Sequence, residues 1–142
     1  MIQARNSLIT SCSLISTRSI RFYRDGLGFK TKAKDTDGIA HFTTTGVVLG
    51  LYPLDKLAED IGPQVKPRPG FSGLTLAHNV RRKEEVAQVL ALAEQAGGRI
   101  VKPAQDVFWG GHSGYFADPD GHYWEVAWVP QGTFDEHGNV VL

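Results

Sequence analysis

The stretch Gly114, Tyr115, Phe116, Ala117, Asp118, Pro119, Asp120, Gly121, His122, Tyr123, Trp124, Glu125 decides the fold. Pro119 presets φ, Gly121 accepts a left-handed position and the two aspartates suit a tight reversal, so the flanking runs should pair as a hairpin. Alternation along the second run puts Tyr123, Glu125 and Ala127 on one face and Trp124, Val126 and Trp128 on the other. The bulky apolar face belongs under helices. Glu125 then projects from the opposite face of the sheet, where a carboxylate needs a cation, a hydrogen-bond donor or a proton. Two roles are open to it, a ligand contact and a structural bond to a neighbouring strand.

Outward from this hairpin, the same order of elements occurs twice. In the first half Ser7 to Ile15 reads as a half-buried strand, and Thr17 stands as the N-cap of a short helix carrying Ile20, Tyr23 and Leu27. Gly26 and Gly28 supply its stop. Strands follow at Phe29 to Lys34, Ile39 to Thr44 and Val47 to Tyr52, closed by Pro53. Leu54 to Ile61 reads as one short helix, and the proline-rich run 62–70 as a linker or covering loop. Phe71 to Val80 opens the second half as a strand. A helix from Lys83 places Val86, Val89, Leu90 and Ala93 on one side and stops at Gly97 and Gly98. Arg81 and Arg82 stand where a capping residue is preferred, with Glu84 and Glu85 complementing the helix dipole. Arg99 to Gln105, Ser113 to Ala117 and His122 to Trp128 complete three strands. The offset between matching landmarks grows smoothly from Leu8 and Gly73 to Pro53 and Pro130, as insertions into the second copy would make it. The expected fold is α+β, a single domain of two tandem βαβββ modules at 7–53 and 71–130, joined by 54–70 and followed by a tail at 131–142.

The late phrase, paired with Phe22, Tyr23, Arg24, Asp25, Gly26, Leu27, Gly28, Phe29 early in the chain, resembles the signatures of the vicinal oxygen chelate superfamily. This is the group of glyoxalases, bleomycin-resistance proteins and extradiol dioxygenases, and the resemblance runs over roughly residues 7 to 130. It implies curved mixed sheets around a cavity. In metal-dependent members a divalent ion is held by side chains on the first strand of the modules and by a glutamate on the last strand of each. Carried over residue by residue, those places fall on Leu8, near Gly73, on Gly50 and on Glu125. Leucine and glycine bring no donor side chain, and one carboxylate does not replace the hydration of a divalent ion. The resemblance therefore implies no metal and no other cofactor here, and a small organic ligand, an antibiotic or aromatic metabolite, bound in the cavity. The alternative is a lyase, isomerase or dioxygenase that uses one divalent ion on Glu125, with His78 or His41 completing the site. Strand alternation puts His78 with Leu74 and Leu76, toward the core or a dimer partner. A regulatory or assembly module with an occluded cavity is a third reading.

Ligand contacts are expected from Glu125, Trp109, Tyr115, Tyr123 and His41. Phe108, Trp109, Gly110, Gly111, His112 and Ser113 form an aromatic, flexible loop able to lay an indole over a flat ligand, or else to plug the module interface. Cys12, inside a strand with no neighbouring base, reads as a small buried thiol. No Ser-His-Asp set, phosphate-cradling loop or dinucleotide fingerprint occurs.

Composition bounds the partners. The 142 residues carry 15 basic and 15 acidic side chains, which gives no general pull toward nucleic acid or an anionic membrane. Apolar runs such as Val126 to Val129 fall far short of the roughly 20 residues that span a bilayer. A single cysteine and an N-terminus without a charged head and apolar block fit a cytoplasmic protein. Open sheet edges favour a homodimer. In the tail, Asp135 to Asn139 suit a turn, followed by Val140, Val141 and Leu142.

Overall fold

The computed structural model describes residues 8–14, 16–68 and 70–141. Ser7, Ile15, Pro69 and Leu142, which fall within the expected first strand, linker and tail, lie outside them. The first module runs β1 (Leu8–Ser13), α1 (Ser16–Arg21), a π turn at Phe22–Gly26, β2 (Lys30–Thr31), β3 (Ala40–Thr43) and β4 (Val48–Pro53). Its sheet has the order β1-β4-β3-β2, with β1 parallel to β4 and the other pairs antiparallel. After α2 (Leu54–Ile61) the second module repeats the plan with β5 (Leu76–Asn79), α3 (Glu85–Gln95), β6 (Arg99–Asp106), β7 (His112–Ala117) and β8 (Tyr123–Trp128), in the order β5-β8-β7-β6. The tail folds into a two-stranded hairpin, β9 (Thr133–Phe134) with β10 (Val140–Val141), around a turn in which Asp135 accepts the N–H groups of His137 and Asn139. The two four-stranded sheets stay separate and do not close into a barrel.

Both modules bury their helix-facing sides in one common core. Phe42, Leu49 and Leu51 from the first sheet meet Phe116, Trp124 and Val126 from the second, with Ile20, Phe22 and Tyr23 between them and Val86, Leu90 and Ala93 from one side of α3. Tyr23 is fully buried, with ring centroids 5.0 Å from Phe22, 5.5 Å from Phe42 and 6.0 Å from Trp124.

Several expected elements take a different shape, each for a local reason. The first helix already includes Ser16, so Thr17 is not its N-cap; its hydroxyl donates to the Asp35 carbonyl instead. That helix widens at its end, where Leu27 N–H reaches back five residues to Phe22 O. Gly28 has the expected positive φ, but Gly26 does not. A Cβ on Gly26 would overlap Ala96, so glycine there lets the two helical segments touch. The second strand stops at Thr31 because Thr31 Oγ1 accepts the Ala33 N–H while donating to His41 O, and Lys34 already belongs to a turn closed by Asp37. The run from Phe71 is not a strand until Leu76, since Gly73 at φ 80° breaks the extended backbone. At the start of α3 the Glu85 carboxylate accepts the N–H groups of both Arg81 and Arg82, which does the work of the missing cap.

The Asp118–Gly121 turn is built as expected and also reaches across the module boundary. Asp118 Oδ1 accepts the N–H groups of Asp120 and His122, while its Oδ2 receives the Tyr23 hydroxyl at 2.6 Å. Tyr23 in turn accepts the Trp124 indole N–H at 3.1 Å. Asp120 receives Leu14 N–H at 2.9 Å, Arg18 at 3.0 Å and the Ser19 hydroxyl. Bonds to charged groups of this kind contribute about 1.5–3 kcal/mol each, and a partner removed from a buried carboxylate costs at least as much. Burial raises the Asp118 carboxyl, against the Tyr23 bond that lowers it.

Cys12 has a neighbour that its own strand does not reveal. His122 Nε2 lies 3.4 Å from Cys12 Sγ and 2.7 Å from Cys12 O, so the thiol is half-buried beside an imidazole of the other module. The Cys12 sulfur foremost, aided by the Cys12 carbonyl and the Asp118 charge, outweighs burial and raises His122 from 6.5 to about 9. A folded-state pKa above the unfolded one gives stability that is complete below pH 6.5 and is lost as pH rises through about 9. Urea unfolding at fixed intervals across this range should show that decline, and His122→Gln should flatten it. A wild-type profile already flat from 6.5 to 9 would contradict the assignment.

Candidate functional site

The open face of the second sheet holds the candidate site. Strand β7 pairs with β8 so that Tyr115 faces Glu125, and with β6 so that Lys102 faces Tyr115. The three side chains therefore form a row across adjacent strands. A groove of about 350 Å³ runs over this row and is lined further by Gln105, Asp106, Ser113 and the loop residues Val107, Phe108 and Trp109. Its size lies at the small end of ligand pockets, which begin at roughly 300 Å³.

The loop that borders the groove is a tight hairpin. Gly110 N–H bonds to Val107 O at 2.9 Å and Val107 N–H to Gly111 O at 3.1 Å, with Gly110 at φ 90°. The Trp109 ring lies directly on Gly111, where any Cβ would collide with it. Trp109 remains 40% exposed and Phe108 is fully exposed, so neither plugs the module interface. Two register shifts in β6 bracket Lys102, which is followed by Pro103. Such bulges turn a side chain away from regular strand geometry.

The electrostatics of the groove are mixed. Burial, and after it the Glu125 carboxylate that the phenol meets, raises the Tyr115 pKa. Lys102 Nζ stands 5.9 Å above the Tyr115 ring. Asp106 is already engaged by Lys83 Nζ at 2.6 Å and His112 Nδ1 at 2.7 Å, which hold its carboxyl below the ordinary value.

Of the five expected contact residues, Trp109, Tyr115 and Glu125 meet in this groove. Tyr123 lies on the same face of β8 but packs beside Phe71, with ring centroids 5.7 Å apart and the planes tilted by 59°. His41 belongs to the other sheet, in register with Gly50, where a Cβ would meet His41, Thr10 and Leu8. His78 stands in register with Val126, on the face of the sheet opposite Glu125. Lys102, Gln105 and Asp106 were not expected. Their signal in the sequence is weak, because the bulges around Pro103 break the alternation that would have placed them. Among the described residues, no three of His, Cys, Asp and Glu converge on one point. A second depression, about 610 Å³, lies beside α1, but its Arg18 and Arg21 are committed to Asp120 and Asp35.

Gly111→Ala tests the support of the indole. It should displace Trp109 and raise its quenching by acrylamide while leaving the melting temperature close to that of the parent, since the atoms nearest a Cβ on Gly111 all belong to the partly exposed Trp109 ring. Quenching identical to the parent would show that the contact with Gly111 does not hold the ring.

Comparison with known proteins agrees with this architecture. The family model for the glyoxalase/bleomycin resistance protein/dioxygenase superfamily matches residues 16–126. The chain is similar to the crystal structure of a glyoxalase-related enzyme from Fulvimarina pelagi, at 36% identity over 99% of each chain and a TM-score of 0.89. It shares the fold of a glyoxalase/bleomycin resistance protein/dioxygenase family enzyme from Burkholderia phytofirmans PsJN, at 17% identity over 89% of this chain and 99% of that one, with a TM-score of 0.78. The same holds for a lactoylglutathione lyase from Agrobacterium tumefaciens, at 20% identity, 89% and 94% coverage and a TM-score of 0.67. No curated protein matches the chain significantly. With a duplicated βαβββ plan and a family match over most of its length, the chain belongs to the glyoxalase/bleomycin resistance protein/dioxygenase superfamily.

Proposed function

We propose that this protein binds a small organic ligand with a planar ring in the groove of the second sheet, through its own side chains and without a resident metal ion. The observation that carries this reading is the exposed aromatic loop, Phe108 and Trp109, standing beside a half-buried acid and phenol, Glu125 and Tyr115. Large aromatic surface left in water beside convergent polar groups is the usual make-up of a ligand site. The indole supplies area and the two polar groups supply orientation.

The donor chemistry supports the metal-free part. Carried over by the resemblance, the four places at which the family's metal-dependent members hold an ion fall on Leu8, on Gly50, near Gly73, which precedes β5, and on Glu125, and the first three named residues have no donor atom in the side chain. Beside Glu125 stand a phenol and, one strand further, an ammonium group, which leaves a divalent ion short of ligands and opposed by a like charge. The residues present do not fit such an ion.

A thermal-shift screen of aromatic metabolites and antibiotics tests the proposal, because a compound that binds only the folded state raises its melting temperature. Hits should lose about tenfold or more in affinity with Trp109→Ala and with Glu125→Gln, the scale of one aromatic contact or one charged hydrogen bond. The melting temperature of the unliganded variants should stay near that of the parent. Hits indifferent to both substitutions would contradict the reading.

A further inference from the structure

We propose that the ligand of this groove is charged at both ends, its anionic group held by Lys102 and its cationic group by Glu125; this rests on the groove being a ligand site. Lys102, Tyr115 and Glu125 occupy successive strands in direct register. Neighbouring strands lie about 4.8 Å apart, so the backbones that carry the two charges are separated by about 10 Å, with a phenol ring between them. A single aromatic ring with one short arm at each end spans that distance. A groove of about 350 Å³ has room for little more.

The two charges are also free to take such a ligand. Among the described residues Lys102 has only the face of the Tyr115 ring, and Glu125 only the Tyr115 hydroxyl; the two do not pair with each other. Asp106, the remaining charged group of the groove, is satisfied by Lys83 and His112 and does not compete for a cation. Lys102 and Glu125 are both half-buried, so a ligand lying over the row removes further water from each. A neutral ligand would leave both charges desolvated without a partner, and a singly charged one would leave one of them so. Selectivity for the doubly charged ligand thus arises as much from the penalty on the others as from its own contacts. The two bulges of β6 strengthen the assignment, since they depart from regular pairing on both sides of Lys102, the residue that supplies the positive pole.

The test is calorimetric titration of the whole chain with four para-substituted benzenes of equal length. These are 4-(aminomethyl)benzoate, 4-ethylbenzoate, 4-isopropylbenzylamine and 4-isopropylbenzyl alcohol. The first should bind about tenfold or more tightly than each of the others. Lys102→Met should abolish the advantage conferred by the carboxylate, and Glu125→Gln that conferred by the amine. Circular dichroism and melting curves of both variants check that they fold as the parent does. If the alcohol binds as well as the doubly charged compound, and Trp109→Ala abolishes that binding, the two-pole assignment falls while the groove stands as a ligand site. If the preference for the doubly charged compound persists in both variants, the assignment to Lys102 and Glu125 falls. If none of the four binds, the two-pole assignment and the planar-ring reading of the groove fall together.

Discussion

The structure depends on the grip of the first module on the Asp118–Gly121 turn of the second. Two carboxylates point back across the boundary, one to the buried Tyr23 hydroxyl and one to Leu14 N–H, Arg18 and Ser19. Neither acid is tolerable at such a place without these donors. The grip sets the turn, the turn sets the register of β7 against β8, and the register decides which side chains of the last strand look toward water. A slip of one residue would bury Glu125 under the helices and expose Trp124.

The groove inherits its shape from that register. Glu125, Tyr115 and Lys102 share one line because three strands are paired in step, and the aromatic loop that borders them is the turn of the adjoining hairpin. The strands hold the polar groups, while a glycine-rich turn carries the indole. Gly111 has a packing role here, since the ring of Trp109 occupies the space that a side chain would need. The core side of the same strands is closed by Phe116 and Trp124, whose rings lie parallel, 4° apart in tilt and 6.0 Å between centroids.

Much of this was legible in the sequence because it follows from local chemistry. The reversal at Asp118–Gly121, the face occupied by Glu125, the duplicated plan and the turn at Asp135–Asn139 each depend on residues adjacent in the chain. Three of the five expected contact residues share the groove for the same reason, as they stand on two successive hairpins, β6–β7 and β7–β8. What was not legible depends on distant partners. Nothing near Cys12 announces His122, Pro103 beside Lys102 marks an irregular strand without saying which side chains it aims at the groove, and His41, on the first sheet, does not line the groove. The hollow expected from curved sheets is represented by the groove on the second sheet, bordered by the loop of Phe108 and Trp109. Boundaries failed where a side chain competes for the backbone, as Thr31 does at the end of β2.

The proposed function turns on Leu8, Gly50 and the neighbourhood of Gly73, the places that the resemblance assigns to metal donors and where these side chains carry no donor atom. The most direct check is elemental analysis of protein purified without chelator, joined to the binding isotherm of a groove ligand before and after treatment with EDTA. The account predicts divalent metal well below one equivalent per chain and an isotherm unchanged by EDTA. Close to one equivalent of a divalent ion, with binding lost on its removal and restored on its return, would contradict it.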